Sequence, residues 1–98
     1  MKKLSSKQIK FLRGRAHHLN PVVMTGQHGV TDAVIREIEA TLNHHELIKV
    51  KIRCEGQSEL LDLLRRITEN VQAVLVQVIG HTAVFYRRSI EHKIQLPV

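Results

Sequence analysis

The four residues Gly26-Gln27-His28-Gly29 stand where an apolar run, Val22 to Thr25, gives way to a helical pattern. Glycine reaches φ above zero without strain and lets another backbone come close. The first amide N–H groups of a helix point outward and carry partial positive charge. Glycines placed just before a helix start therefore build a physical site for a phosphate. Two well-known phosphate motifs are excluded by spacing. No Gly-Lys-Ser/Thr follows, so this is not a P-loop, and the three-glycine dinucleotide pattern is missing. A tight turn that uses glycine twice fits the same residues equally well.

A G-x-x-G loop clamps the RNA backbone in KH domains, although there it joins two helices. The charge pattern bears on that possibility. The formal net charge is +6, from 15 Lys and Arg against 9 Asp and Glu. Lys2, Lys3, Lys7, Lys10, Arg13 and Arg15 all precede residue 20, with no acid among them, and the rest of the chain is balanced. A localised basic stretch on a neutral body points to a polyanion partner. With Phe11, Phe85 and Tyr86 as the only aromatics, base stacking cannot be the main mode of binding. Phosphate and shape recognition of structured RNA fits better.

Other reactive residue types carry less. The chain has seven histidines. His17-His18 and His44-His45 are adjacent pairs, which point to different sides of a helix and do not chelate as an i, i+4 pair would. His45 reads as a helix-end residue, favoured at the negative end of the dipole. Asp62 and Arg66, four apart, read as a surface pair. Cys54 is a lone cysteine on the apolar side of a strand pattern and reads as a small core residue. It excludes an internal disulfide and a multi-cysteine zinc site. No acid–base pair or metal-ligand set accompanies the glycine loop. The expectation is a protein that is not an enzyme and uses no cofactor or metal.

The elements that must position these residues follow from periodicity. A helix is expected over about 5 to 17, with Ser5 or Ser6 as N-cap. Ile9, Leu12, Ala16 and Leu19 share one face of it, and Lys3, Lys7, Lys10, Arg13 and His17 share another. The "HHLNP" run stops it, because a residue before proline avoids the helical region. Val22 to Thr25 is the first strand. A second helix runs from about Thr31, its N-cap, to His44, with Val30 and Ile35 at the positions of a hydrophobic staple. "ELIKVKIRC" is the second strand. Ile48, Val50, Ile52 and Cys54 point one way and Lys49, Lys51 and Arg53 the other, which makes one buried face and one wet, basic face. A third helix covers about Ser58 to Val71.

"AVLVQVI" and "TAVFYRR" are the last two strands, joined at Gly80-His81, a two-residue hairpin turn that wants glycine first. Val74, Val76 and Val78 are expected on one side of the third strand, with Leu75 and Ile79 on the other. Strands three and four are apolar on both sides and need cover on both, and the first helix is the available cover. The fold class is α/β: one two-layer domain over residues 1–98, order α-β-α-β-α-β-β, with helices two and three on one face of a mixed four-stranded sheet. Nothing approaches the roughly 18 consecutive apolar residues of a membrane span. The N-terminal stretch is basic but lacks the apolar segment of a secretory signal. A cytoplasmic monomer is expected.

The segments "FLRGRAHHLNPVVMTGQHGVTDAV", "HHELIKVKIRC" and "VQVIGHTAVFYRR", with their spacing over nearly the whole chain, resemble the CRM domain family (chloroplast RNA splicing and ribosome maturation). They are most similar to its stand-alone bacterial, YhbY-like members. Departures are small: Asn20 precedes Pro21 where the family usually has lysine, Val30 replaces the usual leucine, and His81 stands where lysine is common. The resemblance implies a fold similar to the C-terminal domain of bacterial translation initiation factor three. It also implies an RNA-binding module that associates with precursors of the large ribosomal subunit and contacts ribosomal RNA through the loop and nearby basic residues. Related plant domains act in intron splicing. The site residues expected are Gly26, Gln27, His28, Gly29 and Thr31, with Lys3, Lys7, Lys10, Arg13, Lys49 and Lys51. A small phosphate- or nucleotide-binding enzyme, with the loop as its anion site, is the alternative. A duplex-DNA regulator would need a recognition helix, and helix two carries Glu37 and Glu39 on its polar side.

Overall fold

A computed structural model describes residues 3–26 and 28–98; Lys2 of the basic stretch and Gln27 of the glycine loop lie outside the described residues. The order is α1 (Ser6–Ala16), β1 (Pro21–Met24), α2 (Asp32–His45), β2 (Leu47–Lys51), α3 (Gly56–Val71), β3 (Val74–Ile79) and β4 (Thr82–Tyr86), which is the expected α-β-α-β-α-β-β. The strands form one mixed sheet in the order β1-β2-β4-β3, with β1 parallel to β2 and the other two pairings antiparallel. β4 therefore lies between β2 and β3, and the connection through α3 steps over one strand.

Local chemistry sets the element ends. Ser5 caps α1 in a reciprocal box: its hydroxyl accepts from Gln8 N–H at 3.1 Å, and its own N–H donates to Gln8 Oε1 at 3.0 Å. Thr31 Oγ1 accepts from Val34 N–H at 3.2 Å at the start of α2. Val30 and Ile35 both join the core behind it, as a staple requires. Helix α3 starts earlier than its periodicity implies, at Gly56. Its cap residue Glu55 makes no side-chain cap bond; instead Glu59 Oε2 accepts from Glu55 N–H at 2.9 Å.

Two clusters lie on opposite faces of the sheet. On one face α2 supplies Ile38 and Leu42, α3 supplies Leu60, Leu64, Ile67 and Val71, and the sheet supplies Val23, Ile48, Val50, Ala83 and Phe85. On the reverse face Leu12 and Ala16 of α1 pack on Leu47, Val76, Val84 and Tyr86, together with Ile94 of the C-terminal tail. So α1 is the cover that β4 needs, and four consecutive β4 residues, Ala83 to Tyr86, are buried. Leu19, expected on the buried face of α1, falls beyond the helix end and is 37% exposed.

Edge strand β3 departs from the expected alternation. Its pairing with β4 shifts between Leu75 and Gln77. The extra residue turns the strand over, so Val76 packs under α1 while Val78 stands opposite Ala83 on the other face. Val74, Val76 and Val78 thus do not share a side. As an edge, β3 also leaves Leu75, Val78 and Ile79 36–60% exposed rather than covered.

Glu46, expected as the first residue of the second strand, is instead the C-cap of α2, at φ 66°. Its carboxylate is buried and accepts from Ser89 N–H at 3.1 Å, Lys93 N–H at 2.9 Å and Ile94 N–H at 2.9 Å, and from the Ser89 hydroxyl. Burial alone would push this acid up, but the four donors outweigh it and hold its pKa down at about 2. Arg87, expected in β4, lies just past it and bonds Glu39 Oε1 at 2.8 Å, Val71 O at 2.7 Å and Asn43 Oδ1 at 2.8 Å. Together these contacts pin the tail to α2 and α3.

Candidate nucleic-acid interface

The glycine loop is a closed turn. Gly29 N–H donates to Gly26 O at 3.0 Å, and Gly29 sits at φ 74°. The two glycines differ in what the fold asks of them. Gly29 is held in the left-handed region, which only glycine enters without strain. Gly26 is outside that region, and a Cβ added there would meet nothing within 4 Å. The fold therefore explains the glycine at 29 and leaves the one at 26 without a structural reason. His28 is exposed beside them.

The turn also spends groups that a phosphate would want. Gly29 N–H is used inside the loop, and the Thr31 hydroxyl is engaged with Val34 N–H. Asp32, the first residue of α2, brings a carboxylate to the same helix end, where Arg66 pairs with it at 3.2 Å. Arg66 thus pairs across to α2 rather than with Asp62, as i, i+4 spacing implied. The exposed amides of the loop and helix start remain a positive edge, but the surface beside them carries more charge.

That surface is the open half of the reverse sheet face. Met24, Lys51, Thr82 and Ile79 are successive register partners across all four strands and form one row. Met24 is 68% and Ile79 60% exposed, and Lys51 is exposed between them. The next row holds Lys49, Val84 and Gln77. Beyond it, Leu47, Tyr86 and Val74 lie under α1. Arg13 marks the border, its Nε donating to Val76 O at 3.3 Å. The loop adjoins the open row directly. Thr25 N–H donates to Lys51 O at 3.0 Å, and Thr25 Oγ1 accepts from Arg53 N–H at 2.8 Å. The β3–β4 turn closes the same end: Ile52 N–H donates to His81 O at 2.8 Å, and Gly80 is at φ 59°, as a glycine-first turn requires.

The expected residues that the structure describes are not brought to one point. Gly26, His28, Gly29, Lys51 and Lys49 gather at the loop end and the open face. Lys7 and Lys10 are exposed on α1, which covers the other half of that face, and Lys3 lies farther still, by the end of β4. The five residues of β4 alone separate these ends by about 16 Å. The longest dimension of the molecule is 39 Å. Such a surface is extended and basic, with few enclosed polar groups, and it suits a long polyanion better than a small ligand. Arg53, bonded to Thr25 beside the loop, and His81, bonded to Ile52 at the same end of the sheet, are not among the residues expected from sequence. The Lys49-Lys51-Arg53 alternation was the signal for the first, but only pairing between distant strands brings the second there.

The remaining chemistry-bearing residues stay apart from this face. Cys54 packs partly against the α2/α3 core, and burial, with Glu59 nearby, pushes its thiol up. Among the described residues no group of three or more His, Cys, Asp or Glu is placed to hold a metal ion, and no helix is long and apolar enough to cross a membrane.

Comparison with known proteins agrees with this geometry. Residues 4–87 match the CRS1 / YhbY (CRM) domain. The chain is 53% identical over 97 residues to an RNA-binding protein of Haemophilus influenzae, covering 99% of this chain and 98% of that one. It is 40% identical over 95 residues to the probable RNA-binding protein YqeI of Bacillus subtilis, covering 96% of this chain and 99% of the relative. Its fold matches the solution structure of the Staphylococcus aureus protein SAV1595 with a TM-score of 0.84 at 38% identity, over 97% of this chain and 100% of that one. The sheet with its open basic face, the glycine turn at one end and these full-length matches lead to one conclusion: the chain belongs to the CRS1/YhbY (CRM) domain family.

Proposed function

We propose that the chain is a single CRM-type RNA-binding domain over residues 1–98 that binds ribosomal RNA in precursors of the large ribosomal subunit and acts as an assembly factor, without catalysis or cofactor, as a cytoplasmic monomer. One observation carries the reading. The open row Met24–Lys51–Thr82–Ile79 adjoins the glycine turn at its β1 end, and the same sheet face continues along the strands to α1, which carries exposed Lys7 and Lys10. A phosphate backbone laid along it meets Lys51, Lys49 and Arg13, then Lys10, Lys7 and Lys3. Gly26 is the point of closest approach, because a side chain there has room in the protein and none is present. The relatives named for RNA binding support the partner class.

The alternative, an enzyme using the loop as an anion site, has less support. Gly29 N–H and the Thr31 hydroxyl are both spent within the loop and cap. Sedimentation of cell extract separates the two readings. An assembly factor travels with large-subunit precursors at low salt and leaves them at high salt. A protein that stays at the top of the gradient at all salt concentrations contradicts the proposal.

A further inference from the structure

We propose that the cavity beside Tyr86 receives one unstacked nucleotide of a bound RNA strand, a contact separate from the glycine-turn end. The proposal rests on the RNA-binding reading above. The cavity, about 810 Å³, lies between the start of α1, the tail after β4 and the end of α3. Its size is within the roughly 300–1,000 Å³ of small-ligand sites. Leu4, Val71 and Leu96 give it apolar walls. Tyr86, also on the wall, is 1% exposed, and its hydroxyl is buried with no hydrogen-bond partner among the described residues. A buried phenol normally finds a partner. A phenol both donates and accepts, so it can donate to a carbonyl oxygen or ring nitrogen of a nucleobase edge or accept from one of its N–H groups.

The rim supplies the complementary charge. Lys3 and Arg88 are exposed at the cavity edge. The one acid on the wall, Glu39, is neutralised by Arg87 at 2.8 Å. An apolar interior with one orphaned polar group and a cationic rim matches a base with its phosphate. An apolar peptide anchor would leave the hydroxyl unpaired. RNA read in sequence is read where bases are splayed out of the stack and bonded on their edges. Lys7 and Lys10 are exposed on α1, while Lys3, expected on the same helix face, precedes the Ser5 cap and stands at the cavity edge.

Amide NMR of the full chain, titrated with each of the four nucleoside monophosphates and separately with inorganic phosphate, tests the proposal. Saturable shifts at Tyr86, Arg88 and Leu96 are expected with at least one nucleotide. The Tyr86→Phe variant should bind that nucleotide about fivefold more weakly, the worth of one neutral hydrogen bond, while melting no lower than wild type because an unpaired buried hydroxyl is gone. On ribosomal RNA, Arg88→Ala should reduce the salt slope by about one. Absence of saturable shifts, equal shifts from phosphate alone, or wild-type affinity in Tyr86→Phe would overturn the proposal. The titration does not depend on ribosomal RNA. Nucleotide shifts in a protein that fails to bind ribosomal RNA would remove the assembly reading and uphold the cavity.

Discussion

At the scale of single residues, the two glycines of the loop separate fold from binding. Gly29 is at φ 74° and serves the turn, while Gly26 is neither strained nor crowded. Gly26→Ala should keep the fold, with stability raised by up to about 1 kcal/mol through the unfolded chain, yet weaken RNA binding by pushing the phosphate backbone away. Melting and RNA affinity measured on the same sample check this, and unchanged affinity would show that position 26 is no contact. Gly29→Asp places a carboxylate at the same edge. It should abolish most RNA binding and cost stability of about 1–2 kcal/mol for the left-handed backbone, less because Asp tolerates that region. Thr31, Val30 and Ser5 were legible in sequence because caps and staples are local. Glu46 was not. Its role comes from donors at Ser89, Lys93 and Ile94, more than 40 positions away.

At the scale of elements, α1 is both a cover and a charged rail. Leu12 and Ala16 are buried while Lys7 and Lys10 face solvent. Replacing both lysines by alanine should therefore leave melting nearly unchanged and flatten the salt dependence of RNA affinity by roughly one to two units. A large loss of melting temperature would mean that the stripe serves the fold. The helical and strand periods revealed every element and the basic side of β2. They failed at β3, where one bulged residue between Leu75 and Gln77 reverses which valines face α1. Such a bulge is set by pairing with β4, not by the strand's own residues. The same is true of the open row Met24–Lys51–Thr82–Ile79, whose members come from four strands.

At the scale of the whole molecule, the tail holds the reverse face together through Glu46. The folded state keeps this carboxyl at about 2, below its ordinary value of 4.5. Its stabilisation is thus complete above about pH 4.5 and is lost as pH falls toward 2, since protonation removes the acceptor charge. Glu46→Gln should lower stability at neutral pH by about 1.5–3 kcal/mol and flatten the acid limb of the pH–stability curve between those values. An unaltered acid limb would show that other carboxyls govern it.

The central claim, that an extended basic face rather than an enclosed pocket supplies most of the affinity for RNA, is tested most directly by the salt dependence of binding. Affinity for a large-subunit ribosomal RNA fragment, measured by anisotropy over a range of salt concentrations, should fall with a slope of roughly −4 to −5 in log affinity against log salt. That is the value for about six phosphates neutralised by Lys3, Lys7, Lys10, Arg13, Lys49 and Lys51. A slope near zero would contradict the account.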